Sequence, residues 1–324
     1  MKRISFWSAA ALCATLAVPA LRADVKTREK TTFALEGVMG GLMKRFGGKV
    51  ANEGLTSTVA VKGNRKSSVN DLTGEIIDLG EEKVYRLDVK KKEYTVKTFA
   101  DLRAEYEKAK ADAEKEAKNA KPEDKQEAEE AGEQLTFDID VKKTGEKKTI
   151  AGYDAEEAIV TITAHEKGKP IEESGGFVLT SDTWVGPKIA ALDELTQFQL
   201  KFVRAVYGEQ FAADMQQMAG VLALYPSYKT MAAQMQTEGQ KLQGTPLSTT
   251  TVFEAVKSAE QMKESESDSS GGGGLGGMFA KKLLSKNKPQ QRAKVFTTTH
   301  DLLSIDTSVS PEDLAIPAGY KQKK

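Results

Sequence analysis

The chain has 324 residues, of which 39% are hydrophobic and 29% are charged, a composition typical of a globular protein with one large or two small domains. Lysine and arginine together number 47, and so do aspartate and glutamate. Because this balance gives no strong field of either sign, nucleic acid is not an indicated partner.

The first 23 residues have the pattern of a secretory signal peptide. Lys2 and Arg3 precede the apolar run 4–18, and Ala23 offers a cleavage point. That run is too short for a membrane span, and no later apolar run is long enough for one. Cys13 is the only cysteine, so residues 24–324 contain no thiol, disulfide or cysteine metal ligand. The sequence therefore predicts an exported protein in the periplasm, with an extracellular protein as the alternative.

Alternating apolar and polar residues predict a β-sheet over much of the remaining chain. The clearest pattern is the hairpin 84–99, whose charged bend is Lys90 to Lys92. The two-residue period puts one set of side chains toward a core and the other toward water. Further strands are predicted at 55–62, 66–69, 74–79, 135–141, 158–164, 177–185 and 249–256, with a last strand or pair of strands at 293–307.

Other segments have helical or flexible patterns. Residues 31–49 contain five glycines between large apolar residues, which favours a short core-packing helix over a mobile apolar flap. Residues 101–133 predict a charged helix capped by Asp101 and then a loose acidic connection. Residues 187–244 predict two or three amphipathic helices, and residues 264–292 predict a flexible linker rich in glycine and serine.

The sequence contains no recognisable catalytic motif. His165 and His300 are the only histidines, so a hydrolase with a histidine base would need one of them. Asp138 and Asp140 alternate along the wet face of a strand, which is an ordinary place for acids and does not indicate a cation site. The sequence therefore indicates a protein that is not an enzyme and has neither a cofactor nor a metal.

Four motifs follow one another in the order seen in a known family. They are VKGNRKSS, IIDLGEEKVYRLDVKKKEYTV, KTIAGYDAEEAIVTI followed by TSDTWV, and DLAIPAGYK. Together they resemble a bacterial family of exported proteins known only as a domain of unknown function, which is similar to the periplasmic lipoprotein carriers LolA and LolB. The resemblance implies an α+β fold over residues 24–322, a curved antiparallel sheet (a LolA-like half-barrel) covered by helices. The helices at 187–244 and the linker at 264–292 would be departures from that pattern.

The resemblance implies a non-enzymatic carrier or binding protein for a lipid, a lipoprotein or another apolar ligand held between sheet and helices. The helical methionines and phenylalanines permit two interpretations, ordinary core packing or an adaptable ligand wall. The alternative function is a cell-envelope structural or protein-interaction module with a filled core and no ligand. The candidate wall is Leu55, Val59, Val61, Tyr85, Leu87, Tyr94, Val96, Phe137, Ile139 and Val141, covered by Phe198, Phe202, Met215 and Met218.

Overall fold

The structure is a computed structural model, and it describes residues 24–36, 40–41, 45, 48, 53–119, 134–222, 226–266 and 291–323. This part of the chain is an α+β fold in which one open, mostly antiparallel sheet carries five α-helices. The strands are β1 (Val25–Leu35), β2 (Leu55–Lys62), β3 (Arg65–Asn70), β4 (Thr73–Asp78), β5 (Lys83–Asp88), β6 (Glu93–Thr98), β7 (Leu135–Ile150), β8 (Tyr153–Glu166), β9 (Gly176–Gly186), β10 (Thr245–Val256), β11 (Arg292–Asp306) and β12 (Lys321–Gln322). The helices are α1 (Phe99–Asn119), α2 (Ile171–Ser174), α3 (Ala190–Leu222), α4 (Pro226–Gly239) and α5 (Ala259–Glu266).

Two antiparallel meanders meet in the middle of the sheet. The strand order is β12-β6-β5-β4-β3-β2-β1-β11-β10-β9-β8-β7, and only the β12–β6 pair is parallel. Strand β1 pairs with β2 on one side and with β11 on the other, which joins the two meanders. Because β12 and β7 lie at opposite edges, the sheet does not close on itself.

Helices α1 and α3 pack on one face of the β1–β6 half, which we call the helix face. The shared core buries apolar surface from three elements, at roughly 25 cal/mol per Å², and this burial fixes both helices to the sheet. Its members are Val25, Val61, Ile77 and Val84 from the strands, Phe99 and Leu102 from α1, and Phe198 and Val206 from α3.

A capping box begins α1 at the end of β6. The Thr98 hydroxyl accepts a hydrogen bond from the Asp101 N–H at 3.1 Å, and the Asp101 carboxylate accepts one from the Thr98 N–H at 2.9 Å. Thr98 is therefore the N-cap, and Asp101, which the sequence predicted as the cap, is its reciprocal partner three residues later.

The C-terminal segment covers the other side of the β2–β6 half, which we call the tail face. Val309 and Leu314 pack on Ala60. Ile316 and Tyr320 pack against a cluster formed by Ile76, Tyr85 and Leu87. Apolar side chains from Val309 to Tyr320 thus fix the end of the chain to the sheet.

Helix α3 changes direction at Gly208, where φ is 70°. Its first part follows the predicted apolar stripe onto the sheet. Its second part turns toward α1, where the ring of Phe211 lies 5.8 Å from that of Tyr106 and 5.2 Å from that of Tyr207. Among the helices that the structure describes, none has the length and apolarity needed to cross a bilayer.

Most predicted elements are confirmed, with the following corrections. The sequence predicts a short helix within residues 31–49, but residues 31–35 are the end of β1, although Gly40, Gly41, Arg45 and Gly48 are helical. The strand predicted at 135–141 extends to Ile150, and residues 293–307 form one strand. The predicted signal peptide, the predicted acidic connection at 120–133 and residues 267–290 of the predicted linker lie outside the described residues. At the two ends of that linker, residues 264–266 instead belong to α5 and Arg292 begins β11.

Candidate functional site

A continuous apolar row crosses six strands on the helix face. Residues that pair directly across antiparallel strands project from the same face, so the register traces the row from strand to strand. It runs from β1 through β11, β10, β9 and β8 to β7, as Leu35, Phe296, Phe253, Leu179, Ile162 and Ile139.

Phenylalanine rings make this row into a broader surface. The rings of Phe253 and Phe296 are stacked, with centroids 5.2 Å apart and planes 11° apart. Phe33 lies 5.7 Å from Phe296, and Phe177 lies 5.4 Å from Phe253. We call the six-residue row together with Phe33, Phe137 and Phe177 the apolar band.

The apolar band is only half covered by the described residues. The side chains of its six-residue row are half-buried, and Phe33 is 38% exposed. The tail face of the same strands carries none of their phenylalanines and is mixed in polarity, with Thr297, Thr299, Thr250, Thr180 and Thr161 beside Val252, Val178 and Ile159. The sequence thus puts apolar residues on the side that faces the helices, although α3 packs beyond the band, against Leu302 and Ile305.

Helix α4 borders the band at edge strand β7. The Ile139 N–H donates to the Gln234 side chain, and the Val141 N–H donates to the Glu238 carboxylate, each at 3.1 Å. Four residues on a helix span about 6 Å and two on a strand about 6.8 Å, so the spacings match. Tyr228 also lies 6.3 Å from Phe137, and α4 thereby shields an edge that could otherwise pair with another strand.

Hydroxyl groups lie beside the band, on the side toward the α3 core. Ser181 and Thr251 share a hydrogen bond of 2.8 Å between their hydroxyls. Further along β1 and β11, the Thr31 hydroxyl lies 3.2 Å from His300 Nδ1, and Glu29 lies 3.7 Å from Nε2 of the same ring. We call the following residues of the two rows next to the band the hydroxyl patch: Thr298, Thr251, Ser181, Thr31, Thr249 and Thr183.

His165 forms a separate polar cluster on the tail side of β8. Its Nε2 lies 2.8 Å from the Asp138 carboxylate, while its Nδ1 lies 2.7 Å from the Lys169 carbonyl and 3.0 Å from that of Glu166. Burial lowers the pKa of His165, but the hydrogen bonds to Asp138 and to the two carbonyls outweigh burial, so its pKa is raised above 6.5. Since both ring nitrogens face acceptors, the geometry favours a protonated, structural imidazolium over a catalytic base.

The described clefts do not coincide with the apolar band. One of about 800 Å³ lies beside the β7–β8 turn and is lined by Lys147, Lys148, Asp154 and Glu156, among others. Charged walls of this kind do not suit an apolar ligand. Within the described residues, no three histidine, cysteine, aspartate or glutamate side chains come together where they could hold a metal ion.

The residues of the predicted wall lie on two opposite faces. Leu55, Val59 and Val61 are on the helix face, as are Phe137, Ile139 and Val141. Tyr85, Leu87, Tyr94 and Val96 are on the tail face, under Ile316 and Tyr320. The predicted wall is therefore not one surface. Alternation within a strand shows that one of its faces is apolar, but it does not show on which side of the sheet that face lies.

The predicted helical cover is also divided. Phe198 is 1% exposed and Phe202 packs against the same core, so both fill the space between α3 and the sheet. Met215 is 45% exposed, and the side chain of Met218 lies outside those described. Of the predicted wall, only Phe137, Ile139 and Val141 lie in or beside the apolar band.

Four phenylalanines of the apolar band are absent from the wall that the sequence predicts: Phe33, Phe177, Phe253 and Phe296. Three of them lie in strands that were predicted, and their alternation with polar residues was a usable signal. The sequence does not indicate that these rings lie close together, because their proximity depends on the pairing of β1 and β10 with β11. No protein-family model matches this chain, and no curated protein matches it significantly.

Proposed function

We propose that this protein is exported to the periplasm and holds a lipid, the acyl chains of a lipoprotein or another apolar ligand on its apolar band, without catalysing a reaction. The observation that carries the proposal is the six-strand row of half-buried apolar side chains on the face that also bears the helices. Contiguous apolar surface of this extent, rimmed by polar residues, is characteristic of ligand or partner sites.

The dimensions of the band suit an acyl chain. Six strands at about 4.8 Å spacing give a row of about 24 Å, whereas the chains of one bilayer leaflet span about 15 Å. Contact along one side of a sixteen-carbon chain would bury about half of its surface, worth at most roughly 6 kcal/mol at 0.8 kcal/mol per fully buried CH₂. Dissociation constants for single-chain ligands would then be about 40 μM or weaker.

The proposal extends the resemblance to LolA and LolB. In those carriers a curved sheet presents a concave apolar face beneath helices, and here the open sheet has its apolar band on the helix face. Helix α4 would form one border of the ligand site, through its contacts with β7. The space under α3 is not part of the proposed site, since Phe198 and Val206 fill it.

The filled core under α3 favours a second candidate, an envelope protein-interaction module. In that case the apolar band would be covered by a partner protein instead of a lipid. The two candidates differ in what accompanies the protein when it is purified from its own periplasm.

Native mass spectrometry of the purified protein distinguishes the candidates. A carrier is expected to show adducts with lipid masses, and the delipidated protein should take up a fluorescent fatty acid. Repeated recovery without lipid and with no uptake of the probe would contradict the carrier function. Stoichiometric recovery of one envelope protein, in the absence of lipid, would support the interaction module instead.

A further inference from the structure

The hydroxyl patch occupies an unusual position within the helix face. Threonine is common in strands because its branched side chain fits the pleat, and the tail face carries several as well. On the helix face, however, the row next to the apolar row reads Phe33, Thr298, Thr251, Ser181, Val160, Val141 from β1 to β7. Three adjacent hydroxyls are thus flanked by apolar side chains at both ends of their own row.

The third row of the helix face adds three more hydroxyls and forms the border of the hydroxyl patch toward the core. It reads Thr31, His300, Thr249, Thr183, Ala158, Lys143 across the same strands. Beyond it lies the core that contains Leu247 and Leu302, which are at most 6% exposed. The patch is therefore bounded by the apolar band on one side and by the packed core on the other.

The patch offers hydrogen bonds but almost no charge. Among the described residues of these three rows, Lys143 is the only lysine, arginine, aspartate or glutamate. It lies on β7, three strands from β10 and thus about 14 Å from Thr249 and further from Thr251. Glu29, two residues before Thr31 on β1, lies 3.7 Å from His300 Nε2. Among the described residues of these rows, the only ionisable group beside a phosphate or carboxylate seated here would be the His300 imidazole, which already faces Glu29. Burying an unpaired charge is costly.

We infer that the ligand of the apolar band is an uncharged lipid with a hydroxyl- or ester-bearing head group, of the diacylglycerol type, whose head lies on the hydroxyl patch. Its acyl chains lie along the band, and its ester and hydroxyl oxygens exchange hydrogen bonds with Thr298, Thr251 and Ser181. Anionic lipids with the same chains are disfavoured. This inference rests on the proposed function, since it names the ligand of that same site.

Two probes that differ only in the head group test the inference. The full-length exported chain is delipidated and mixed with neutral vesicles that contain a fluorescent diacylglycerol or a phosphatidic acid bearing the same chains. The expected result is transfer of both, with the diacylglycerol bound at least about tenfold more tightly, a difference of about 1.4 kcal/mol.

Two matched double variants test whether the preference for diacylglycerol arises from the hydroxyl patch. Thr251→Val with Thr298→Val removes two hydroxyls while keeping the shape, and it should weaken diacylglycerol binding about fivefold for each hydroxyl lost. A fluorescent alkane should bind this variant at least as well as the wild type. Thr250→Val with Thr299→Val makes the same change one residue away on the tail face, and it should leave binding unaltered.

The outcomes separate the inference from the proposed function. If neither lipid nor the alkane binds the wild type, both fail. If the lipids bind without discrimination, or phosphatidic acid binds more tightly, the carrier function stands and the neutral-lipid inference is overturned. Equal effects of the two double variants would overturn it as well.

Discussion

The rings of Phe253 and Phe296 are stacked at 5.2 Å, although 42 residues separate them in the sequence. Each belongs to a strand that was recognisable from its alternation, but only the β10–β11 register makes the two rings neighbours. This pair lies at the centre of the apolar band. Phe198 and Phe202 of α3, by contrast, belong to a packed core, and the first prediction distinguishes these two environments.

Replacing Phe198 by alanine should destabilise the protein without changing the apolar band. The side chain is 1% exposed, and removing a buried phenylalanine costs about 3–5 kcal/mol. Met215→Ala, on the same helix but 45% exposed, should change stability by no more than about 0.5 kcal/mol. Denaturant unfolding measures both. A Phe198→Ala variant of undiminished stability would show that the space under α3 is not a packed core.

The side chain of Gln234 should protect the edge of the sheet. Gln234→Ala removes the acceptor for the Ile139 N–H, so that amide should exchange its hydrogen faster in native-state exchange measured by NMR. Gln236→Ala is the matched control, since Gln236 is exposed on the same helix and should leave the Ile139 amide unaffected. Unchanged protection in the first variant would mean that α4 does not cap β7.

The His165 cluster should stabilise the protein more at acidic than at alkaline pH. Its folded-state pKa is raised, so the stabilisation is fully present below the ordinary value of 6.5 and is lost as pH rises through the folded-state pKa. The difference in melting temperature between the wild type and His165→Gln should therefore shrink with rising pH. Asp138→Asn removes the carboxylate partner and should reduce this pH dependence. A difference that grows with pH would contradict the assignment of an imidazolium.

Asp182 should destabilise the folded protein at neutral pH. Its Oδ1 is buried and has no hydrogen-bond partner in the part of the chain that the structure describes. Desolvation together with the nearby Glu157 raises the pKa of the Asp182 carboxyl above 3.8. The ionised form is therefore disfavoured in the folded state, so the penalty applies above the raised pKa and disappears as pH falls toward 3.8. Asp182→Asn should raise the melting temperature at pH 7, with a smaller gain near pH 4.

A conservative change on the same face provides the control for Asp182. Asp140 lies on the tail face of β7 and is exposed, so Asp140→Asn should have little effect at either pH. Calorimetry at the two pH values measures both variants. A destabilised Asp182→Asn at pH 7 would show that the carboxylate has a stabilising partner.

Local patterns in the sequence were sufficient for most elements of this fold. The hairpin β5–β6 and strand β8 alternate strongly, and the stripe from Ile189 to Val206 has a clear helical period. Strand β1 was missed at 31–35 because its helix-face positions include Thr27, Glu29 and Thr31, which weaken the alternation. Its strand partner β11 is more than 250 residues away, so no short-range signal indicated the pairing.

The candidate site was less predictable than the elements that form it. Tyr85 and Val61 both occupy apolar positions of well-predicted strands, yet the register puts them on opposite faces. Two-residue periodicity fixes the alternation within a strand but not the relation between strands. The row from Leu35 to Ile139 needs five correct pairings, and each of these is a long-range or loop-dependent property of the fold.

The most direct test of the central claim compares two adjacent substitutions in β10. Phe253 projects into the apolar band, whereas Val252 projects from the tail face, so the two substitutions lie on opposite sides of the same strand. Circular dichroism checks that both variants are folded. Titration of the delipidated protein with a fluorescent diacylglycerol should show saturable binding for the wild type and for Val252→Asp. Phe253→Asp should bind at least about tenfold more weakly, because the ligand would bury an unpaired carboxylate. No binding by the wild type, or equal binding by the two folded variants, would contradict the claim that the apolar band is a ligand site.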